Sequence, residues 1–220
     1  MKIDNFNKIQ SLLSFDSEDD FYFLQIIKRR KDNPDLPRSE KLIRNYFIGS
    51  GDLEKCKKSI ITICEVNNAR AYFRLNRRSY KNVAHRMNVK LAQYLCDGQY
   101  RACETLFDSI CGEYHCDPQK KWLIDIDSIS YADVIPYYEI IEKLDNYKPL
   151  TETFSSKDGH KFCREHHYHI IKTLNGYHII TAPFNTQLFN QQCLINNLEI
   201  PEIHKDNPTL LYFNNTDDVH

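Results

Sequence analysis

Asp125-Ile126-Asp127 closes the short apolar run Trp122-Leu123-Ile124, and there residue type and spacing imply chemistry most directly. Side chains of an extended strand alternate between its faces, so both carboxylates lie on one face with Trp122, Ile124 and Ile126 on the other. Two carboxylates roughly 7 Å apart along a strand repel unless something positive lies between them. A divalent cation is the economical partner: Mg²⁺ or Mn²⁺ takes oxygen ligands, keeps part of its water shell and is presented to a triphosphate by such sites. The alternative is a strand ending at the surface with both acids solvated or paired to arginine. A second feature is Asn175-Gly176, set between two β-prone runs, 167–174 and 177–182. It predicts a hairpin with a two-residue type I′ turn, pairing Leu174 with Tyr177, Thr173 with His178 and Ile171 with Ile180. His169, Ile171, Thr173, His178 and Ile180 then share one face, with Lys172 and Tyr177 on the other. A histidine beside a hydroxyl on a sheet can bind a phosphate oxygen or orient a nucleophile. A hydrogen bond to a neighbouring backbone group is the plainer role for His178.

The elements that must position these residues read as a mixture. Ser17 caps a predicted helix from Asp20 to about Arg30, ended by Asn33-Pro34-Asp35-Leu36-Pro37. Ser39-Glu40 opens a short segment, and Gly51-Asp52 opens a helix that stops at Asn67-Asn68. Residues 71–76 read as an aromatic-rich strand, 80–96 and 99–112 as helices, and Tyr137–Leu144 as a helix after Pro136. Thr209–Phe213 is a last short strand. Helices and strands lack the regular alternation of a doubly wound sheet, so the expected class is α+β with a mixed or antiparallel central sheet. The expected organisation is a helical N-terminal portion, 1–66, and a core over 67–220 that carries the acids and the histidine.

With 220 residues, 41% of them hydrophobic, and only six glycines and eight prolines, the chain has the material for a core and excludes disordered or collagen-like classes. No apolar run approaches the roughly 20 residues of a membrane span, and residues 1–20 lack a signal-peptide pattern. A soluble cytoplasmic protein with no membrane partner is the expectation, and its eight cysteines are expected as thiols. Cys103, Cys111, His115 and Cys116 are close enough in sequence to suggest zinc, without a recognised ligand spacing; Cys96 and Cys103 fit a buried helical stripe equally well. Net charge is −1, but Arg70 to Arg101 holds eight Lys or Arg against one acid. That segment offers an anion-binding face, although a solvated helix face is the simpler reading. Lys157-Asp158-Gly159 is one residue short of a nucleotidyl-lysine motif. His160, His166, His167 and His169 cluster without a hydrolase spacing, which suggests a polar edge.

Trp-apolar-Asp-x-Asp followed by Thr-Leu-Asn-Gly-Tyr-His-Ile-Ile-Thr-Ala-Pro-Phe (173–184) resembles the archaeo-eukaryotic primase superfamily, the primase-polymerases. Asp125 and Asp127 match that family's first motif. Gly176 and His178 match its second, a small residue two before a histidine that opens a strand, with glycine where serine is usual. Residues 71–78, Ala-Tyr-Phe-Arg-Leu-Asn-Arg-Arg, are similar to a "Tyr-Phe-x-x-Asn-x-Arg" strand preceding the catalytic module in phage and plasmid members. The third motif is an apolar residue followed by an acid; the strand at 209–213 carries none, so Asp206 is its expected substitute. The resemblance implies a metal-dependent nucleotidyltransferase that adds nucleotides to a 3′ end or synthesises primers. Asp125, Asp127 and Asp206 would hold Mg²⁺ or Mn²⁺; His178, with Thr173, Lys172 and Gly176, would bind the nucleoside triphosphate. Arg74, Arg77 and Arg78 would contact nucleic acid. A single-stranded DNA template, a helicase on a separate chain and a bacterial or phage-infected cell complete the expectation. The alternative is a catalytically degenerate protein that only binds nucleotides or single-stranded nucleic acid.

Overall fold

Apolar side chains at consecutive positions, Phe21-Tyr22-Phe23-Leu24, set the architecture of the first half of the chain. The computed structural model describes residues 1–113, 120–144 and 169–214. The chain divides into two units, Met1–Pro118 with Pro208–His220, and Gln119–Asn207. Among the described residues no helix is long and apolar enough to cross a membrane.

In the first unit, β1 (Lys2–Asp4) and α1 (Phe6–Gln10) precede β2 (Asp20–Arg29), β3 (Glu40–Ile48), α2 (Asp52–Asn67), β4 (Arg70–Arg74) and β5 (Arg78–Ser79). Then come α3 (Tyr80–Cys96), a 3-10 turn at Tyr100–Thr105 and α4 (Leu106–Glu113), and the chain returns at its end as β10 (Pro208–Asn214). The sheet is antiparallel in the order β1-β10-β4-β2-β3, with β5 paired to the start of β2. The segment expected as a helix over 20–30 is therefore the strand β2. Phe21 and Phe23 pack with Val83 of α3 and Leu106, Ile110 and Cys111 of α4, while Tyr22, Leu24 and Ile26 are buried on the opposite face. A strand covered on both sides loses its two-residue alternation and reads as a continuous apolar run, which a helix also produces. The expected boundary at residue 66 falls in the last turn of α2, inside this unit. Residues 1–66 contribute three of its strands rather than a helical portion.

The second unit runs β6 (Trp122–Ile126), a 3-10 turn at Tyr131–Asp133, α5 (Ile135–Glu142), β7 (His169–Lys172), β8 (Tyr177–Thr181), α6 (Thr186–Ile195) and β9 (Glu202–His204). Its sheet is antiparallel in the order β7-β8-β6-β9, so among the described residues the succession is β-α-β-β-α-β with the first strand between the third and the fourth. Ile124 and Ile126 of β6 and Ile179 of β8 pack against Tyr137, Ile140 and Ile141 of α5 and Phe189 and Cys193 of α6. Burying each such side chain stabilises the unit by about 1.5–3 kcal/mol. Asn185 caps α6, its side-chain oxygen accepting from the N–H groups of Gln187 at 3.0 Å and Leu188 at 3.2 Å. Because both helices cover the even-numbered face of β6, Asp125 must point to the other.

Candidate active site on the second sheet

The hairpin between β7 and β8 forms where the sequence places it, but with a different turn. The last pair is Lys172↔Tyr177, and Ile171 stands opposite His178. The connection is four residues, 173–176, closed by the Thr173 N–H donating to the Gly176 carbonyl at 2.8 Å. Neither Asn175 nor Gly176 has the positive φ that a type I′ turn requires. The offset from the expected register is two residues, so each strand residue keeps its expected face. Thr173, expected beside His178, lies in the loop, where its hydroxyl accepts the Gly176 N–H at 3.0 Å. Lys172, opposite Tyr177, points to the face opposite His178, so neither residue stands beside His178 as expected.

Gly176 has a steric reason unrelated to φ. A Cβ there would lie 1.9 Å from the Ile126 carbonyl oxygen and 3.0 Å from the Ser128 nitrogen. The loop is thus seated directly on the end of β6, the strand that carries the acids. A serine at this position would displace that strand end.

Across the middle of the sheet three polar residues form one row. Asp125 is paired with His178 of β8 on one side and with Glu202 of β9 on the other. Directly opposed residues share a face, so the imidazole and both carboxylates project together. His178 Nε2 lies 3.4 Å from Asp125 Oδ1, with the side chains 13% and 34% exposed. The hydrogen bond with His178 holds the Asp125 carboxyl below its ordinary range, against partial burial, which acts in the other direction. Glu202 is 81% exposed and lies 3.2 Å from Nε2 of His204. Asp127 follows the strand end and is exposed.

Asp125, Asp127 and Glu202 line a cleft of about 760 Å³ at the C-terminal end of β6. The start of α5 and the connection from α6 to β9 complete its walls. Its lining includes Asp133 and Glu199 as well and, among the described residues, no lysine or arginine. Tyr137 fixes the far wall by donating its hydroxyl to the Glu199 carbonyl at 2.9 Å. Oxygen donors of this kind suit a hard divalent cation. Among the described residues no three metal-binding side chains are already gathered as a ligand group.

Asp206, the expected third carboxylate, is not brought to this row. It follows the end of β9, whose ladder with β6 closes at Leu123↔His204, two rungs from Asp125 on the side away from Asp127. Glu202 takes the place opposite Asp125 instead. The sequence signal for it was an acid after the apolar Ile200-Pro201, at the head of the alternating triplet Glu202-Ile203-His204. The strand at 208–214 belongs to the first unit, apart from the sheet that carries Asp125.

The arginines expected at nucleic acid are structural in two cases out of three. Arg78 is 0% exposed and donates to the carbonyls of Cys111, at 2.9 Å, and Asn76. Arg77 is buried between Asp16 at 2.7 Å and Asp20 at 3.1 Å. Arg74 is half-buried on β4. The Arg70–Arg101 charge excess is further reduced by Arg70 with Asp32 and by Lys90 with Glu113. Cys111 is buried in the first unit's core with its thiol pushed up to about 12 by burial, an inert state, whereas Cys96 is exposed at the end of α3 and Cys103 half-buried in the 3-10 turn, so the two form no buried stripe. His115, Cys116, the Lys157-Asp158-Gly159 segment, His160, His166 and His167 lie outside the described residues. No protein-family model, curated protein or solved structure matches this chain.

Proposed function

We propose that the Gln119–Asn207 unit is the catalytic module of a metal-dependent nucleotidyltransferase of the primase-polymerase kind. The observation that carries this reading is the row His178–Asp125–Glu202 on three adjacent strands, of which Asp125 and Glu202 line a cleft whose charged residues, among those described, are all acids. Glu202 follows an apolar pair after the histidine strand, and so supplies the third signature that Asp206 does not. Acids on the reacting face also count against bare nucleic-acid binding there, because carboxylates repel phosphates unless a cation stands between them.

Asp125, Asp127 and Glu202 would hold Mg²⁺ or Mn²⁺. Two carboxylates with water and substrate phosphates satisfy Mg²⁺ without a complete protein cage. The bound ion would supply neutralisation of charge on the triphosphate and acidification of the attacking hydroxyl. The chain's own contribution is positional. His178, held by Asp125, presents its imidazole to a phosphate oxygen of the incoming nucleotide. The hydrogen bond keeps Asp125 ionised, and Gly176 lets the loop seat against β6 so that both strands stay in register.

The test is incubation with Mn²⁺ or Mg²⁺, labelled nucleotides and single-stranded template, comparing the natural chain with an Asp125→Ala/Asp127→Ala variant and with Glu202→Gln. Extension or primer synthesis by the natural chain, lost in both variants, is expected. Absence of product from the natural chain with either metal sinks the reading in favour of binding alone. Full activity in Glu202→Gln removes Glu202 from the site.

A further inference from the structure

We propose that the β2–β3 hairpin end of the first unit is a grip for the phosphate backbone of double-helical nucleic acid. Residues 28–44 hold seven Lys or Arg against three acids. One of the acids, Asp32, is already held by the Arg70 guanidinium through two bonds, at 2.7 and 2.5 Å. By contrast, Lys28, Arg30, Lys31, Arg38 and Lys41 make no side-chain ion pair or hydrogen bond among the described residues. Lys28 and Lys41 stand directly opposite each other in the ladder, and Arg44 follows on the same face opposite Ile26. Like charges so placed destabilise a strand pair unless an anion relieves them.

The end of the hairpin is a two-stranded ribbon. Pairing of β2 with β4 ends at Ile27↔Arg70, whereas pairing with β3 continues through Lys28↔Lys41 and Arg29↔Glu40. The last two rungs are therefore two-stranded. The connecting loop is set in place at its base: Asn33 donates to the Asn68 carbonyl at 3.0 Å, and Asn68 donates to the Asp32 carbonyl at 2.9 Å. A pre-ordered cationic ribbon loses little conformational entropy when it meets an anion.

The occupant follows from charge and from what the ribbon lacks. Residues 28–44 contain no aromatic side chain, so the segment lacks the ring platforms on which single-strand binders stack successive bases. What remains is phosphate attraction, strongest toward a duplex with one charge per roughly 1.7 Å of axis. A two-stranded ribbon is also of a width that the major groove admits. This inference stands apart from the proposed catalysis, since it needs neither the acids, nor metal, nor nucleotide.

The experiment is fluorescence anisotropy of the full chain with a short labelled duplex, a single strand of the same length and anionic phospholipid vesicles, over a salt series without divalent metal. The Lys28→Gln/Arg30→Gln/Lys31→Gln/Lys41→Gln variant is compared with the natural chain and with Asp125→Ala/Asp127→Ala, each checked by thermal unfolding. Duplex binding by the natural chain is expected, weakened about tenfold or more in the charge variant, with a salt slope shallower by about 3–4. The Asp125/Asp127 variant should bind as the natural chain does, whatever its activity. No duplex binding, equal affinity and slope in the charge variant, tighter binding of the single strand, or binding to vesicles alone would each overturn the proposal.

Discussion

Replacing Gly176 by alanine tests the join between the hairpin loop and the acid-bearing strand. The added methyl carbon would sit 1.9 Å from the Ile126 carbonyl oxygen, well inside the 3.0 Å that real Cβ contacts essentially never breach. The obstacle is backbone, not the end of a flexible side chain, so either β6 or the loop must move by about 1 Å. Overpacking of this sort costs about 1–3 kcal/mol, and the backbone contact argues for the upper end. For a chain of this length, a loss of 2–3 kcal/mol lowers the midpoint of thermal unfolding by about 4–12 °C. The protein has one tryptophan, Trp122, at the start of β6, so its fluorescence reports the unfolding of this sheet directly. Gly112→Ala is the control, with its nearest neighbour the Arg74 guanidinium at 4.0 Å; it should leave the Trp122 transition in place. Gly176→Ser, which restores the residue usual in the resembled family, should cost as much as alanine. A Trp122 transition in Gly176→Ala that coincides with that of the natural chain would refute the close approach and the positional role given to this glycine.

Two further outcomes follow from the buried and paired charges. The Asp125 carboxyl is depressed by its hydrogen bond with His178, so its contribution to stability is present above the ordinary value of 3.8 and is lost as pH falls through the lowered one. His178→Gln should move the Asp125 midpoint upward in a carboxyl-carbon NMR titration; an unchanged midpoint removes the pair. Arg78→Ala leaves two buried carbonyls without a donor and opens a cavity, so denaturant unfolding should show a loss of about 3–5 kcal/mol. Weakened nucleic-acid binding at full stability would instead make Arg78 a contact residue.

The pattern of the sequence was sufficient where one face of an element is buried and the other is wet. The helix opened by Gly51-Asp52 and the helix at 80–96 carry that signature and form; β6 and the two arms of the hairpin form as well, although Leu123, Ile171 and Ile180 are buried on the face opposite the helices. The face shared by Asp125 and its strand neighbours follows from alternation alone. β2 escaped detection because it is buried on both sides and shows no period. β9 escaped because three residues are too few for one. Its strand character comes from pairing with β6, and that pairing, not any local preference, brings Glu202 opposite Asp125. Likewise, local charge could not distinguish an arginine on the surface from Arg78, whose partners Asn76 and Cys111 are assembled only by folding. The amino-acid order determines which side chains share a face; which strands become neighbours is decided by the burial of their apolar faces, and so the composition of the acid–histidine row is a tertiary property.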